Sequence, residues 1–239
     1  FFFSLFLFKM IEFDSALEKR KLLLTNYADG NIETVADVGC GTGVDSISLA
    51  QIGFDVNSFD PSSEMINTAI ENSKRLNAQI SFYNYSASEI PKTFYSKFDS
   101  VFSLGNTIAN IPLNQLEKSF MKMFKMLKDD GRVLIQVLNY EKILKKKERI
   151  VNITKKDNDY FIRFYDFGKS YLTFNILKFS ADQTTKKELI STKIFPHKAK
   201  EIKKILKKAG FKKIEMFGGL DKKPFDARLS NDLVLFAVK

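Results

Sequence analysis

The chain has 239 residues, 44% of them hydrophobic and 24 of them phenylalanine, with a formal net charge of +10. That length buries a full core as one soluble α/β unit, and the lone cysteine, Cys40, excludes an internal disulfide and fits a reducing compartment. The basic residues are 32 lysines against 6 arginines, whereas base and phosphate recognition favours the planar arginine fork, so nucleic acid is not an expected partner.

Residues 1–8 are strongly apolar, but they carry no basic leader and no small-residue cleavage site and are too short to cross a bilayer. Because the chain starts without methionine and Met10 follows at once, a truncated or mis-started reading frame is expected. Residues 35–38 form a short β-prone run that breaks into Gly39, Gly41 and Gly43, after which Val44, Ile47, Leu49 and Ala50 recur at near-helical spacing. This predicts strand, tight turn, helix. A second strand spans 54–59 and closes on Asp60; Pro61 then opens a helix, marked by Met65, Ile66, Ala69 and Ile70, that reaches Leu76. Strands follow at 80–85 and 98–104. Leu116, Phe120, Phe124 and Leu127 line a helix that Gly131 is expected to end, and 132–138 is a fifth strand.

From 149 to 195 the pattern changes to β-prone runs at 150–154, 160–167, 171–179 and 187–195, separated by polar breaks such as Lys156-Asp157-Asn158-Asp159. They predict an antiparallel insert of about four strands after the fifth strand. Ala199, Ile202, Ile205, Leu206 and Ala209 then share one face of a helix that Gly210 stops, with lysines on the solvated face. Strands at 211–217 and 233–238 complete the sheet. The expected fold class is α/β: a Rossmann-like doubly wound, mostly parallel seven-stranded sheet with an antiparallel β insert, as one domain over 1–239 with a subdomain at about 149–195.

In such a sheet the ligand lies off the carboxyl ends of the strands, where Gly39, Gly41, Gly43, Asp60, residues 86–88 and Asn106 all fall. The glycines let the backbone turn sharply and let a ligand approach main-chain N–H groups. Asp60 stands about 20 residues beyond the first glycine, where an acid at a strand end takes ribose hydroxyls. A dinucleotide fingerprint places its third glycine three residues after the second, whereas Gly41 and Gly43 are two apart. An adenosine is therefore the expected ligand. Cys40, inside the turn and with one histidine in the chain to partner it, reads as a small residue beside the ligand rather than a nucleophile. That histidine, His197, follows Pro196 at a helix start and is read as structural or exposed.

The segments DVGCGTGVDSISLA (37–50) and SFDPSSEMI (58–66) resemble motif I and the following acidic loop of class I S-adenosylmethionine-dependent methyltransferases. LGNTIAN (104–110) and LNYEKIL (138–144) resemble the LGNS and NYD segments of the glycine/sarcosine N-methyltransferase branch. The likeness covers 33–144 and is looser at Pro224-Phe225 and 230–239, which resemble the terminal strand of related small-molecule enzymes. It implies S-adenosylmethionine as cofactor, with Asp37, Gly39, Cys40, Gly41, Thr42 and Gly43 around the methionyl portion and Asp60 and Pro61 at the ribose. It places Met65 near the adenine, although helical spacing with Ile66 assigns it equally to the core. Ser86, Ala87 and Ser88 fall where many relatives hold the adenine amine with an acid or polar group, and Leu104 and Gly105 fall beside the methyl. Asn106 and Tyr140 are the implied catalytic pair, with Asn110 and Asn139 as further substrate contacts; outside the likeness, Arg163 in the insert run 161–165 is read as an alternative anion or ring contact to the substrate. A turn role for Asn106 and a solvent-facing Arg163 are the alternatives.

Two departures bear on the substrate. An arginine directly before the NYD segment binds the substrate carboxylate in the glycine enzymes, and here that position is Leu138; the histidine closing the LGNS segment is Asn110. Lysine cannot reproduce a lost bidentate clamp, which argues against glycine itself. The family also carries residues near the active-site mouth ahead of this chain's start, so some substrate contacts are expected to be missing. The expected function is cytoplasmic methyl transfer to a small molecule, at an amine, by an in-line displacement that needs alignment and exclusion of water more than a nucleophile. No metal and no membrane are expected. The alternatives are an RNA methyltransferase, against which the lack of an N-P-P-Y-type segment after the fourth strand counts, and a non-catalytic S-adenosylmethionine-binding protein.

Overall fold

In the computed structural model, which describes residues 13–28, 30, 32–182 and 187–239, helix α1 (Phe13–Leu24) leads into strand β1 (Thr34–Val38). The apolar start of the chain and Met10 lie outside the described residues. Strand and helix then alternate through α2 (Val44–Ile52), β2 (Asp55–Phe59), α3 (Ser63–Arg75), β3 (Ile80–Tyr83), β4 (Phe98–Ser103), α4 (Leu113–Met126) and β5 (Leu127–Leu138). Short apolar runs broken by glycine make the strands; β1 is buried from Val35 to Val38, as a central strand covered on both faces must be.

A seventh of the way through the chain β1 already takes an interior place in the sheet, because the seven strands pair in the order β10-β11-β5-β4-β1-β2-β3. Here β10 is Lys212–Phe217 and β11 Asp232–Val238. All neighbours run parallel except β11, which is antiparallel to both β5 and β10. Chain order reverses between β1 and β4, and such a switch point opens a crevice at the strand ends.

After α5 (Tyr140–Lys146) come β6 (Ile150–Lys156), β7 (Asp159–Phe167), β8 (Leu172–Ser180) and β9 (Lys187–Ile194), a separate antiparallel sheet in sequential order. The backbone N–H of Phe195 donates to the Ala109 carbonyl (2.8 Å), which ties the end of β9 to the turn after β4. Helix α6 (Ala199–Ala209) then ends at Gly210, with φ of 111°. Between α6 and the 107–110 turn, His197 is buried: Nε2 donates to the Ile111 carbonyl (2.8 Å) and Nδ1 faces Glu201 (3.4 Å).

Three local expectations are corrected. Gly131 does not end α4: the chain enters β5 at Leu127, and the ladder slips from Phe98↔Leu127 to Ser100↔Arg132. The surplus residues bulge outward at exposed Asp129 and Asp130, the latter at φ 58°. Strand β3 stops at Tyr83, because the Asn84 side chain turns to the Asp60 carbonyl (2.9 Å). Pro61 does not open α3; Ser62 is its N-cap and accepts the Met65 N–H (3.2 Å), satisfying one of the donors a helix start leaves free.

Asp99 fastens the outer end of β4 to β1. Its Oδ2 accepts the N–H groups of Glu33 (3.1 Å) and Thr34 (2.9 Å) and the Thr34 hydroxyl (2.9 Å), and its Oδ1 meets Lys128 Nζ (2.8 Å). Against the upward push of desolvation, the Lys128 ammonium and the Thr34 N–H hold this carboxyl well below the usual carboxylate range. A depressed pKa stabilises the fold above the unfolded value of about 4 and loses that contribution as pH falls toward the folded value. Asp99→Asn is therefore expected to cost about 1–2 kcal/mol at neutral pH in urea unfolding, with the gap to wild type closing below pH ~4. A gap that stayed constant into acid would contradict this.

Candidate functional site

The loop after β1 is shaped by one forced contact. Gly39 has φ of 84°, and a Cβ there would lie 2.2 Å from Thr107 Cγ2. Thr107 Oγ1 donates to the carbonyls of Gly39 (3.1 Å) and Leu104 (2.8 Å), so the loops after β1 and β4 are clasped together. The N–H groups of Gly39 and Cys40 both donate to Phe59 O (2.7 and 3.1 Å), which joins β2 to the same cluster. Gly41 is the converse case: at φ 54° its missing Cβ would meet nothing within 4 Å, so the turn faces open room.

That room is a cavity of about 1070 Å³, walled by the β1 loop, the ends of β2, β4 and β5, one side of α1 and the inner face of the β6–β9 insert. Single small-ligand sites run to roughly 1,000 Å³, so this one accommodates a nucleoside-sized ligand together with a second molecule. Asp60 stands at its wall, nearly buried, with Oδ2 accepting Gly41 N–H and Oδ1 accepting Ser62 N–H, both at 2.9 Å. Burial pushes its carboxyl up, and those two N–H groups oppose the shift. Each carboxylate oxygen keeps a further acceptor position for a ligand hydroxyl. Thr42 lines the same wall, and its buried Oγ1 has no hydrogen-bond partner among the described residues. A glycine turn with space over it, a carboxylate beside it and an unpartnered hydroxyl fit an adenosine-bearing ligand.

Most of the residues singled out from the sequence come together here. Cys40, Pro61, Met65, Ser86, Ala87 and Leu104 line the cavity, as do Gly105, Asn106 and Asn110. Met65 is both buried in α3 and part of the wall. Burial, and then the Asp37 and Asp60 carboxylates, push the Cys40 thiol well up, away from the thiolate a nucleophile requires. Ser86 Oγ donates to Glu89 Oε2 (2.5 Å), which brings a carboxylate to the strand end where the sequence offers only serines. Gly43 and Ser88 lie outside the lining: Gly43 packs on Ala69, and Ser88 meets Ser86 Oγ (3.3 Å).

Other assignments move one layer back. Asp37 sits behind the loop, where its Oδ2 accepts Ser46 Oγ (2.6 Å); burial and the nearby Asp45 push its carboxyl up. Tyr140 is fully buried and does not line the cavity; its hydroxyl exchanges hydrogen bonds with the Asn106 amide (2.8 and 3.1 Å), while Asn106 Oδ1 also accepts Leu138 N–H (3.0 Å). Burial, then the neighbouring Tyr165, pushes the Tyr140 hydroxyl far above its ordinary range. Asn106, at φ 71°, is thus both a turn residue and a wall residue. Asn139 caps α5 and donates to the carbonyls of Ala227 (3.1 Å) and Ser230 (3.0 Å), binding the C-terminal loop rather than the cavity. Arg163 lies outside the lining as well, since its guanidinium donates across the ladder to Asn152 (2.8 Å) and Thr154 (3.3 Å) of β6.

The sequence reading missed a polar group on the opposite wall. Arg20 of α1 pairs with Asp45 of α2 (Nε–Oδ1 2.6 Å) and donates to Gln136 of β5 (2.7 Å), and all three line the cavity. Burial pushes Asp45 up while Arg20 draws it down. An acid in the first turn of α2 was visible as a helix-start preference; nothing local marked Arg20.

A family model described as a methyltransferase domain matches residues 30–210. The glycine/sarcosine N-methyltransferase of Aphanothece halophytica is 32% identical over 111 residues, which cover 46% of this chain and 42% of that protein. Human glycine N-methyltransferase is 31% identical over 126 residues, 47% of this chain and 43% of that one. The chain thus spans less than half the length of these curated relatives. Among solved structures, an S-adenosylmethionine-dependent methyltransferase from Clostridium acetobutylicum superimposes with a TM-score of 0.80 at 17% identity, covering 92% of this chain and 91% of that chain. The CcbJ methyltransferase from Streptomyces caelestis gives 0.78 at 16% identity, covering 95% of each. At those identities the likeness is one of fold.

Proposed function

The chain belongs to the methyltransferase-domain family, among the class I S-adenosylmethionine-dependent enzymes, and on that premise we propose that it transfers a methyl group from S-adenosylmethionine to an amine of a small molecule. The observation that carries the reading is one cavity that holds Asp60 and the glycine turn on one wall and Asn106 on another. The cofactor supplies a methyl group on a sulfonium, already activated for displacement. The chain's part is to bind, align and exclude water.

In this reading Asp60 takes the ribose hydroxyls, the turn from Gly39 to Gly43 lies along the methionyl portion, and Met65, Ser86 and Ala87 flank the adenine. Leu104 and Gly105 border the methyl. Asn106 touches the acceptor, with Tyr140 as its positioning residue; Asn110 stays at the acceptor end, while Asn139 and Arg163 leave the acceptor set. The amine is supported by the names of the curated relatives, which are N-methyltransferases. An RNA acceptor gains no support, since the basic residues among the described lining are Lys19 and Arg20 of α1. No described helix is long and apolar enough to cross a membrane.

Calorimetric titration with S-adenosylmethionine, followed by transfer of labelled methyl to a panel of small amines, tests the proposal; absence of both binding and transfer would refute it. Tyr140→Phe removes the bonds that orient Asn106, so kcat is expected to fall about tenfold, equivalent to ~1.4 kcal/mol, with cofactor affinity unchanged. An equal loss in both would assign Tyr140 to the fold rather than to Asn106.

A further inference from the structure

Resting on the methyltransferase reading, we infer that the acceptor is an amine on an apolar ring or branched body that carries no carboxylate, held against the Tyr165 and Phe174 surface of the insert. The charges of the cavity are segregated. Lys19, Arg20, Asp45, Asp60 and Asp232, the ionisable Asp, Glu, Lys and Arg residues of the described lining, come from α1, the start of α2, the end of β2 and the start of β11. The insert contributes Tyr165, Phe174, Thr192 and Ile194, and Leu138 and Ile111 adjoin them. No charged side chain of the described residues stands on that wall.

An amino acid placed there would bury its carboxylate without a cation, which is costly unless the charge is paired. The cations of the insert are directed elsewhere. Arg163 donates to Asn152 and Thr154, Arg149 pairs with Asp166, and Lys193 sits over the Tyr171 ring (4.3 Å). His197, behind the 107–110 turn, is buried against the Ile111 carbonyl.

What the wall offers instead is aromatic surface with the hydroxyls of Tyr165 and Thr192 as its polar groups. The Tyr165 and Phe174 rings lie 5.2 Å apart at 49°, and the Tyr165 hydroxyl has no hydrogen-bond partner among the described residues. Its pKa is pushed up to about 12 by burial, so it remains a donor across the working range. Such a wall also favours the neutral form of a bound amine, because an ammonium there loses hydration and gains no counter-charge. The lone pair needed for attack is thus exposed without a general base.

The test is calorimetric titration of benzylamine, cyclohexylamine, glycine and sarcosine into the full chain saturated with S-adenosylhomocysteine. Benzylamine and cyclohexylamine are expected to bind at least tenfold more tightly than glycine or sarcosine. Phe174→Ala is expected to weaken benzylamine about tenfold while S-adenosylhomocysteine affinity stays constant, with Phe174→Leu, which keeps apolar volume, losing less. Glycine or sarcosine binding as tightly as benzylamine, no binding of either apolar amine, or a Phe174→Ala variant that binds benzylamine like wild type would each overturn the inference. If S-adenosylhomocysteine itself fails to bind, the methyltransferase reading falls and takes this inference with it; if it binds and the amines do not, the acceptor inference alone falls.

Discussion

Asp60→Ala is expected to weaken S-adenosylmethionine binding about 100-fold in calorimetry. The Asp60 carboxylate does two things at once. It accepts Gly41 N–H on one oxygen and Ser62 N–H on the other, each at 2.9 Å, which sets the tip of the glycine turn against the start of α3. Its remaining lone pairs face the cavity, where the ribose hydroxyls are proposed to lie. A hydrogen bond to a charged group is worth roughly 1.5–3 kcal/mol, and two of them exceed the ~2.7 kcal/mol that corresponds to 100-fold. Asp60→Asn keeps one oxygen acceptor and should fall between wild type and alanine. Equal affinities in wild type and Asp60→Ala would remove Asp60 from the cofactor site.

Gly39→Ala is expected to abolish measurable cofactor binding and to lower the melting temperature by several degrees. The new methyl would sit 2.2 Å from Thr107 Cγ2 and 2.6 Å from Thr107 Oγ1, and the residue would have to hold φ of 84°. The backbone conformation alone costs about 1–2 kcal/mol for a residue with a side chain. In a domain of this size each kcal/mol moves the melting point by roughly 2–4 °C. Because the clash parts the loops after β1 and β4, it displaces Leu104 and Gly105 together with the glycine turn. Adding Thr107→Ala should restore only part of the loss, since Thr107 Cβ itself lies 2.9 Å from the added methyl. Full rescue by Thr107→Ala, or undiminished binding by Gly39→Ala alone, would show that the clasp between the two loops is dispensable.

Both variants act on residues that were legible in the sequence, because glycine spacing and an acid at a strand end are local signals with one backbone consequence each. The mostly parallel seven-stranded sheet and the position of the insert were legible for the same reason. Period-2 and period-3.6 patterns report which elements form, and the handedness of parallel crossovers leaves few ways to stack them.

Elsewhere the same local rules ran out at particular residues. By alternation Arg163 and Tyr165 share a face of β7, yet Tyr165 lines the cavity while Arg163 turns to Asn152, its register partner on β6. Which of two neighbours reaches a ligand depends on the strand alongside, and cross-strand pairing is not written into either strand alone. Tyr140 and Asn139 are adjacent in an apparent motif, but one is buried behind Asn106 and the other holds the loop at 226–230.

The chain's sequence by itself thus determined the doubly wound sheet, the glycine turn at 39–43 and the acid at 60, since each follows from backbone sterics or hydrophobic period within a few residues. Only the tertiary structure decided the Arg20–Asp45–Gln136 wall, the clasp of Gly39 by Thr107 and the uncharged face of the insert. Those arise from contacts between residues up to 116 positions apart, where packing and the neutralisation of buried charge, not local propensity, select the partner.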